Sequence, residues 1–149
     1  KIKLQIWDTS GHERYHSITK NFYTKVKGII LAYDVTDKNS FDRIERWMCQ
    51  IRDHAERDVQ LILVGNKTDL NTSREVSKRR GQQIAEHYDV PFFETSAKTG
   101  ENLEDAFLHL AKEVLKLTQS EEGGGFALKT RQNTHHGEKM NKHKKSPCC

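Results

Sequence analysis

An α/β fold, with a mostly parallel sheet flanked by helices, is what this sequence predicts, and three observations carry the prediction. Several short apolar runs are nearly continuous, as expected of strands buried on both faces. Between them lie segments whose apolar residues recur at helical spacing. Each run also ends abruptly in polar residues, the place where ligands sit in such sheets. Strands alternating with helices close into a parallel sheet through right-handed crossovers. With 149 residues, 34% hydrophobic and 31% charged, the chain has material for one modest core, so one domain and a tail are expected.

The first expected strand comes from Lys1, Lys3 and Gln5 alternating with Ile2, Leu4 and Ile6, a period-two pattern with one wetter face that ends at Trp7 and Asp8. Residues 28–35 and 59–64 give two more strands, and Pro91, Phe92 and Phe93 mark a fourth. Ser40 is the expected cap of a helix carrying Phe41, Ile44, Trp47, Met48 and Ile51, with Asp42 and Glu45 near its positive end. A weaker helix starts near Ser77 and runs through Ile84, Ala85 and Tyr88, with Gly81 counting against it. The clearest helix places Leu103, Phe107, Leu110, Val114 and Leu117 on one face. Trp47 and Phe107 read as core residues on these stripes, Cys49 as a half-buried small hydrophobe, and Arg79 with Arg80 as a solvated helix face.

Beyond Gln119 the pattern dissolves into Gly123, Gly124 and Gly125 and then a His- and Lys-rich polar stretch that cannot bury enough surface to order itself. The expected division is a domain over 1–119 and a flexible basic tail over 120–149. The formal net charge of +4 belongs mainly to that tail, where Lys139, Lys142, Lys144 and Lys145 crowd together. No apolar run approaches the ~20 residues of a membrane-spanning helix and no signal peptide is visible, so a soluble, cytosolic domain is expected. The three cysteines, Cys49, Cys148 and Cys149, form neither a disulfide framework nor a zinc spacing, which fits a reducing compartment.

Chemistry is expected at the strand ends. The third strand runs into Gly65, Asn66, Lys67, Thr68 and Asp69, an N-K-x-D motif. The Asp69 carboxylate can accept two hydrogen bonds from the ring and exocyclic N–H donors of guanine, a pattern adenine does not offer. Lys67 has a stem long enough to lie over a purine plane, and Asn66 can tie neighbouring loops together and donate to the base. The fourth strand ends in Glu94, Thr95, Ser96, Ala97 and Lys98, where the Ala97 N–H could donate to the guanine carbonyl. The first strand ends in Asp8, Thr9, Ser10 and Gly11, a D-x-x-G sequence in which Asp8 could hold magnesium through water and the Gly11 N–H could sense a terminal phosphate.

Together these residues resemble the Ras-like small GTPases, and within them the Rab proteins that direct vesicle traffic. The likeness covers almost all of residues 1–118 and includes the runs Lys3-Leu4-Gln5-Ile6-Trp7, Arg14-Tyr15-His16-Ser17-Ile18-Thr19 and Leu31-Ala32-Tyr33-Asp34-Val35-Thr36. It implies the P-loop NTPase-type fold, GTP and GDP as ligands with Mg2+, and hydrolysis of the terminal phosphate. It also implies a second switch spanning residues 8–24 that presents Trp7 and Phe22 to effectors, exchange and activating factors, and no role for nucleic acid. The implied location is the cytoplasmic face of vesicle or organelle membranes, with a cytosolic pool.

Departures from the family pattern matter. His12 stands where the family usually has the glutamine that orients attacking water, which predicts slow intrinsic hydrolysis. Phe22-Tyr23-Thr24-Lys25 differs from the commoner Tyr-Tyr-Arg run. No G-x-x-x-x-G-K-[ST] occurs, and Lys1 stands in place of methionine, so the expected fold is incomplete at its N-terminus, with the phosphate loop, the first switch and two strands missing. Such a chain is expected to be poorly stable and to hold guanine nucleotides weakly, its edge strands open. The alternative function is accordingly a non-catalytic, truncated Rab-like interaction protein that keeps its membrane anchor.

That anchor is read from Cys148 and Cys149, which follow Pro147 and the lysine cluster and look like a double-cysteine prenylation signal. Two lipids hold a protein to a membrane where one does so marginally, and Lys142, Lys144 and Lys145 would add attraction to anionic headgroups. A metal site with His135, His136 and His143, or contact with nucleic acid, ranks below this reading, because adjacent cysteines chelate a tetrahedral metal awkwardly and the tail lacks interleaved aromatics.

Overall fold

The computed structural model describes residues 3–9 and 23–123. In chain order the elements are β1 (Gly28–Asp34), α1 (Lys38–Asp42), α2 (Ile44–His54), β2 (Gln60–Asn66), a 3-10 helix (Thr68–Ser73), α3 (Lys78–Tyr88), β3 (Phe92–Glu94) and α4 (Leu103–Gly123). The sheet has the order β1-β2-β3, and both pairings are parallel. Leu31 lies opposite Leu63, and Val64 opposite Phe93. β2 is the central strand, and Ile62, Leu63 and Val64 are 1%, 0% and 5% exposed, as the unbroken apolar run predicts.

β2 divides the core between its two faces. On one side Leu63 joins Tyr33, Val35, Phe41, Ile44, Met48, Val76 and Ala85, so that α1, α2 and α3 cover it. On the other, Ile62 and Val64 pack with Ala106 and with Ile30, Phe93 and Leu110, beneath α4. Each such aliphatic side chain contributes roughly 1.5–3 kcal/mol by leaving water. Trp47 and Phe107, read as core from their spacing, are only half-buried.

Three sequence expectations need correction. Residues 3–9 form no strand and are exposed, with Leu4, Ile6 and Trp7 at 53%, 68% and 59%. Alternation encodes sidedness but not a neighbour, and a strand needs one for its N–H and C=O groups. Among the described residues, none pairs with the edge of β1 that faces away from β2. Next, the helix expected to be capped by Ser40 begins three residues earlier, at Lys38, and breaks at Arg43. Its cap is Asp37, whose Oδ1 accepts from the Asn39 N–H at 2.9 Å, while Ser40 Oγ donates to the Asp37 carbonyl at 2.7 Å and accepts from the Asp34 N–H at 3.0 Å. Finally, Arg80 is more than a solvated charge, because its guanidinium lies 4.9 Å over the Phe41 ring.

The helix expected from Ser77 is α3, capped by the Ser77 side chain on the Arg80 N–H. Gly81 does not break it. A side chain there would strike the Tyr33 hydroxyl and the Phe92 ring, so glycine is what lets α3 approach the sheet. α4 continues as helix to Gly123, past the boundary expected near residue 120. Among the described residues, no helix is long and apolar enough to cross a membrane.

Candidate base-binding site

Parallel pairing delivers the carboxyl ends of all three strands to one side of the sheet, with Asp34 opposite Asn66 and Gly65 opposite Glu94. β2 leaves the sheet at Asn66, and the chain turns sharply because Lys67 adopts a left-handed conformation, φ 70° and ψ 37°. Non-glycine residues seldom take that conformation, so its presence here, in the middle of N-K-x-D, marks a locally strained backbone. The turn feeds the 3-10 helix that carries Asp69.

After β3 the chain enters a second tight loop, with Gly100 at φ +83°. Thr95 and Ser96 are wholly buried, at 0% exposure each. The buried Ser96 organises this loop from within: its N–H donates to the Glu101 carbonyl at 3.1 Å, its carbonyl accepts from the Gly100 N–H at 2.8 Å, and its Oγ accepts from the Thr99 N–H at 3.1 Å.

The two loops are tied together. Asn66 Oδ1 accepts from the Ala97 N–H at 3.0 Å and from Thr95 Oγ1 at 3.3 Å, which leaves its amide hydrogens to donate elsewhere. The Thr68 N–H donates to the Thr95 carbonyl at 3.1 Å, and Thr68 Oγ1 to Glu101 Oε2 at 2.8 Å. Ser96 Oγ donates to Asp69 Oδ1 at 2.6 Å, and Lys98 Nζ stands 3.9 Å from Asp69 Oδ2.

Between these loops opens a cleft of about 250 Å³ lined by Asn66, Lys67, Asp69, Leu70, Ala97 and Lys98. This is below the roughly 300–1,000 Å³ of pockets that enclose drug-sized ligands, so it suits a heterocyclic base better than a whole nucleotide. Its lining supplies a carboxylate, amide hydrogens and apolar stems, the complement of a planar, polar-edged ring, while the Ala97 N–H, expected to donate to a guanine carbonyl, is given to Asn66 Oδ1 instead. Five of the six residues expected at the base therefore line one cleft, and the sixth, Ser96, stands behind Asp69. Asp8 and Trp7 lie on the exposed 3–9 segment and do not line it. Gly11, His12, Phe22, Cys148 and Cys149 fall outside the described residues.

For magnesium, the one candidate within the described residues is Asp8, and no group of three or more His, Cys, Asp or Glu side chains among them could hold a metal ion. A single exposed carboxylate does not fill the octahedral oxygen shell that Mg2+ demands, so these residues alone do not make its site.

Two ion pairs that frame the cleft escaped the sequence reading. Lys67 Nζ meets Asp34 Oδ2 at 2.5 Å, joining β1 to the turn after β2. Hydrogen bonding to Asp34 raises the Lys67 ammonium above its ordinary value. Partial burial would push the Asp34 carboxyl up, but the bonds from Lys67 and Thr36 outweigh it and hold the acid below its ordinary value. Arg74, just beyond the 3-10 helix, grips Glu94 at the end of β3 with Nη1–Oε1 at 2.5 Å and Nη2–Oε2 at 3.3 Å, both side chains being largely buried. Arg74 also donates to the Val76 carbonyl and to Asn71 Oδ1, each at 3.1 Å. Pairs such as these depend on which strand ends become neighbours, and no local spacing announces them.

A model of the Ras family matches residues 1–116 of the chain. "Ras-related protein Rab-10" of Diplobatis ommata is 46% identical over 140 residues, covering 87% of this chain and 70% of the relative. "Ras-related protein RABE1e" of Arabidopsis thaliana is 46% identical over an alignment that takes in 100% of this chain and 70% of the relative. "Ras-related protein Rab-8B" of Homo sapiens is 49% identical over 115 residues, 77% of this chain and 56% of the relative.

Proposed function

We propose, from the premise that this chain belongs to the Ras family of small GTPases as a Rab-like member, that its cleft reads the guanine base of GTP and GDP. In the whole protein, this base reading serves a GTPase cycle that regulates vesicle traffic. Asp69 accepts from the two N–H donors on one edge of guanine, and the amide hydrogens of Asn66, whose Oδ1 holds the Ala97 N–H, donate to its carbonyl edge. The stems of Lys67 and Lys98 cover its planes. One observation carries the reading: Asp69 is held by Ser96 from behind with one oxygen, at 2.6 Å, while it lines the cleft. A carboxylate anchored in this way is directed before the ligand arrives, and bonds to a charged acceptor are worth about 1.5–3 kcal/mol each.

Hydrolysis, switching and membrane attachment belong to the same proposal through Asp8, Gly11, His12, Phe22, Cys148 and Cys149. In that reading Asp8 holds Mg2+ through water, the ion that neutralises developing phosphate charge in this class of reaction. Prenylation of Cys148 and Cys149 places the protein on the cytoplasmic face of vesicle or organelle membranes, where effectors and exchange and activating factors meet it.

Base reading is tested by titrating the 149-residue chain with GMP and with AMP, following the amide resonances of Ala97 and Lys98. The expected result is saturable shifts with GMP at concentrations at least ten-fold below those needed with AMP. Equal responses to the two nucleotides would refute guanine selection.

A further inference from the structure

We propose that Asp34, at the carboxyl end of β1, is a positioning residue of the base site: it holds the Lys67 ammonium so that the lysine stem is set along the cleft as the surface on which the purine lies. This inference rests on the guanine-reading proposal above and names a residue outside the N-K-x-D and Ser-Ala-Lys motifs that serves it.

Lys67 lines the cleft, yet its charged end is engaged with Asp34, 2.5 Å away on the neighbouring strand. With its backbone pinned in the left-handed turn at one end and its ammonium pinned at the other, the intervening methylene chain has little freedom. Asp34 is itself immobilised. Its Oδ1 accepts from the Thr36 N–H at 2.8 Å and from Thr36 Oγ1 at 2.7 Å, which aims Oδ2 at Lys67, and its own N–H donates to Ser40 Oγ at 3.0 Å. The Asp34 side chain is 20% exposed against 52% for Lys67, so the acid is the fixed partner and the lysine the one being held.

Pairs between mobile surface groups contribute little, because each must first be ordered. Here the carboxylate is ordered by two bonds from Thr36, and the entropy of stilling a long lysine is met before the base arrives. The pair's direction matters as well. It draws the ammonium towards β1, so the face presented to a ring is the methylene stem with the charge beyond it, an arrangement that favours a stacked heterocycle.

The test is a double-mutant cycle on the full chain, with GMP as ligand and the Ala97 and Lys98 amides as the readout. Asp34→Asn should weaken GMP about ten-fold, Lys67→Ala by at least as much, and adding Asp34→Asn to Lys67→Ala should cost less than a further two-fold. A loss from Asp34→Asn that persists undiminished in the Lys67→Ala background would overturn the proposal, as would unchanged GMP affinity in Asp34→Asn. If Asp34→Asn does not fold, Thr36→Val takes its place in the cycle. It removes one bond that aims the carboxylate, and a two- to three-fold loss dependent on Lys67 is expected, with no loss counting against the proposal. A parent chain that treats GMP and AMP alike would instead bring down the base-reading proposal itself, a result separable from any difference between variants.

Discussion

Ser96 and Asp69 sit 27 residues apart in sequence and meet at 2.6 Å, the serine hydroxyl donating to a carboxylate that is only 13% exposed. The bond joins the loop after β3 to the 3-10 helix after β2, and the same hydroxyl accepts the Thr99 N–H. Ser96→Ala should therefore act on two levels. It removes a bond from a buried hydroxyl to a partly buried charged group, expected to cost about 1.5–3 kcal/mol of unfolding free energy. It also frees Asp69 to turn, so the preference for GMP over AMP should fall by more than the loss of stability would suggest. Urea unfolding and the paired nucleotide titrations measure the two effects separately.

Arg74 and Glu94 form the second bridge between the same two regions, and each is largely buried. Arg74→Met keeps much of the side-chain volume but strands the Glu94 carboxylate and the Val76 carbonyl. A loss of about 3–5 kcal/mol is expected, the range for removing one partner of a buried pair. The double variant Arg74→Met with Glu94→Gln should recover part of it, since no charge is then left buried and alone. Equilibrium unfolding of the three variants checks both statements.

Tyr33 and Gly81 test the packing between sheet and helix. Among the described residues, the Tyr33 hydroxyl is buried without a hydrogen-bond partner, and burial pushes its ionisation well above the ordinary tyrosine value. Tyr33→Phe should be neutral to stabilising by about 1 kcal/mol, because it deletes an unmet polar group while keeping the ring against Phe41. Gly81→Ala sets two effects against each other. Helix propensity favours alanine by about 1 kcal/mol, but its Cβ would come within 2.5 Å of the Phe92 ring and against the Tyr33 hydroxyl. Overpacking of this kind costs about 1–3 kcal/mol, so a net destabilisation is expected. Combining it with Tyr33→Phe should soften the loss. Thermal melting of the single and double variants decides it.

Acid should expose the Asp34 bond network. The folded-state acid lies below its ordinary value, because hydrogen bonds from Lys67 and Thr36 outweigh the opposing effect of partial burial. A group depressed in the folded state contributes stability above its unfolded pKa, about 3.9 for an aspartate, and loses it as the pH drops through the folded value. The difference in urea midpoint between the parent chain and Asp34→Asn should thus be constant from about pH 7 to pH 5 and close below about pH 4. A gap that widened on acidification would contradict the assignment.

What was legible in the sequence was whatever depends on near neighbours. β2 announced itself because both its faces are buried and its apolar run is unbroken, and the Ser77 cap because a hydroxyl three residues before its N–H partner is a local device. That Asn66, Lys67 and Asp69 would line one cleft was legible because they lie within four residues at a strand end. Capping by Asp37 rather than Ser40 was not, since both are good caps by type and the choice turns on Asp34 drawing the Ser40 hydroxyl towards β1. Lys3, Leu4, Gln5 and Ile6 carried a strand's alternation, but pairing needs an adjacent edge that no pattern within the segment specifies. Asp34 with Lys67, and Arg74 with Glu94, were invisible for the same reason. Each joins residues 20 or more positions apart that only the fold makes neighbours.

The bonds that cross between the two loops have a consequence for timing. Asn66 with Ala97, Thr68 with Thr95, Ser96 with Asp69 and Arg74 with Glu94 brace one loop against the other, so the cleft between them resembles a plug receptacle moulded in advance. Such a receptacle has little to rearrange when a ring docks in it and little to report about what hangs from that ring. It gives identity without news. A molecule that must distinguish a nucleotide with three phosphates from one with two has to place that sensor in a part of the chain free to move, and the stillness of these loops provides the frame against which such movement counts as a signal.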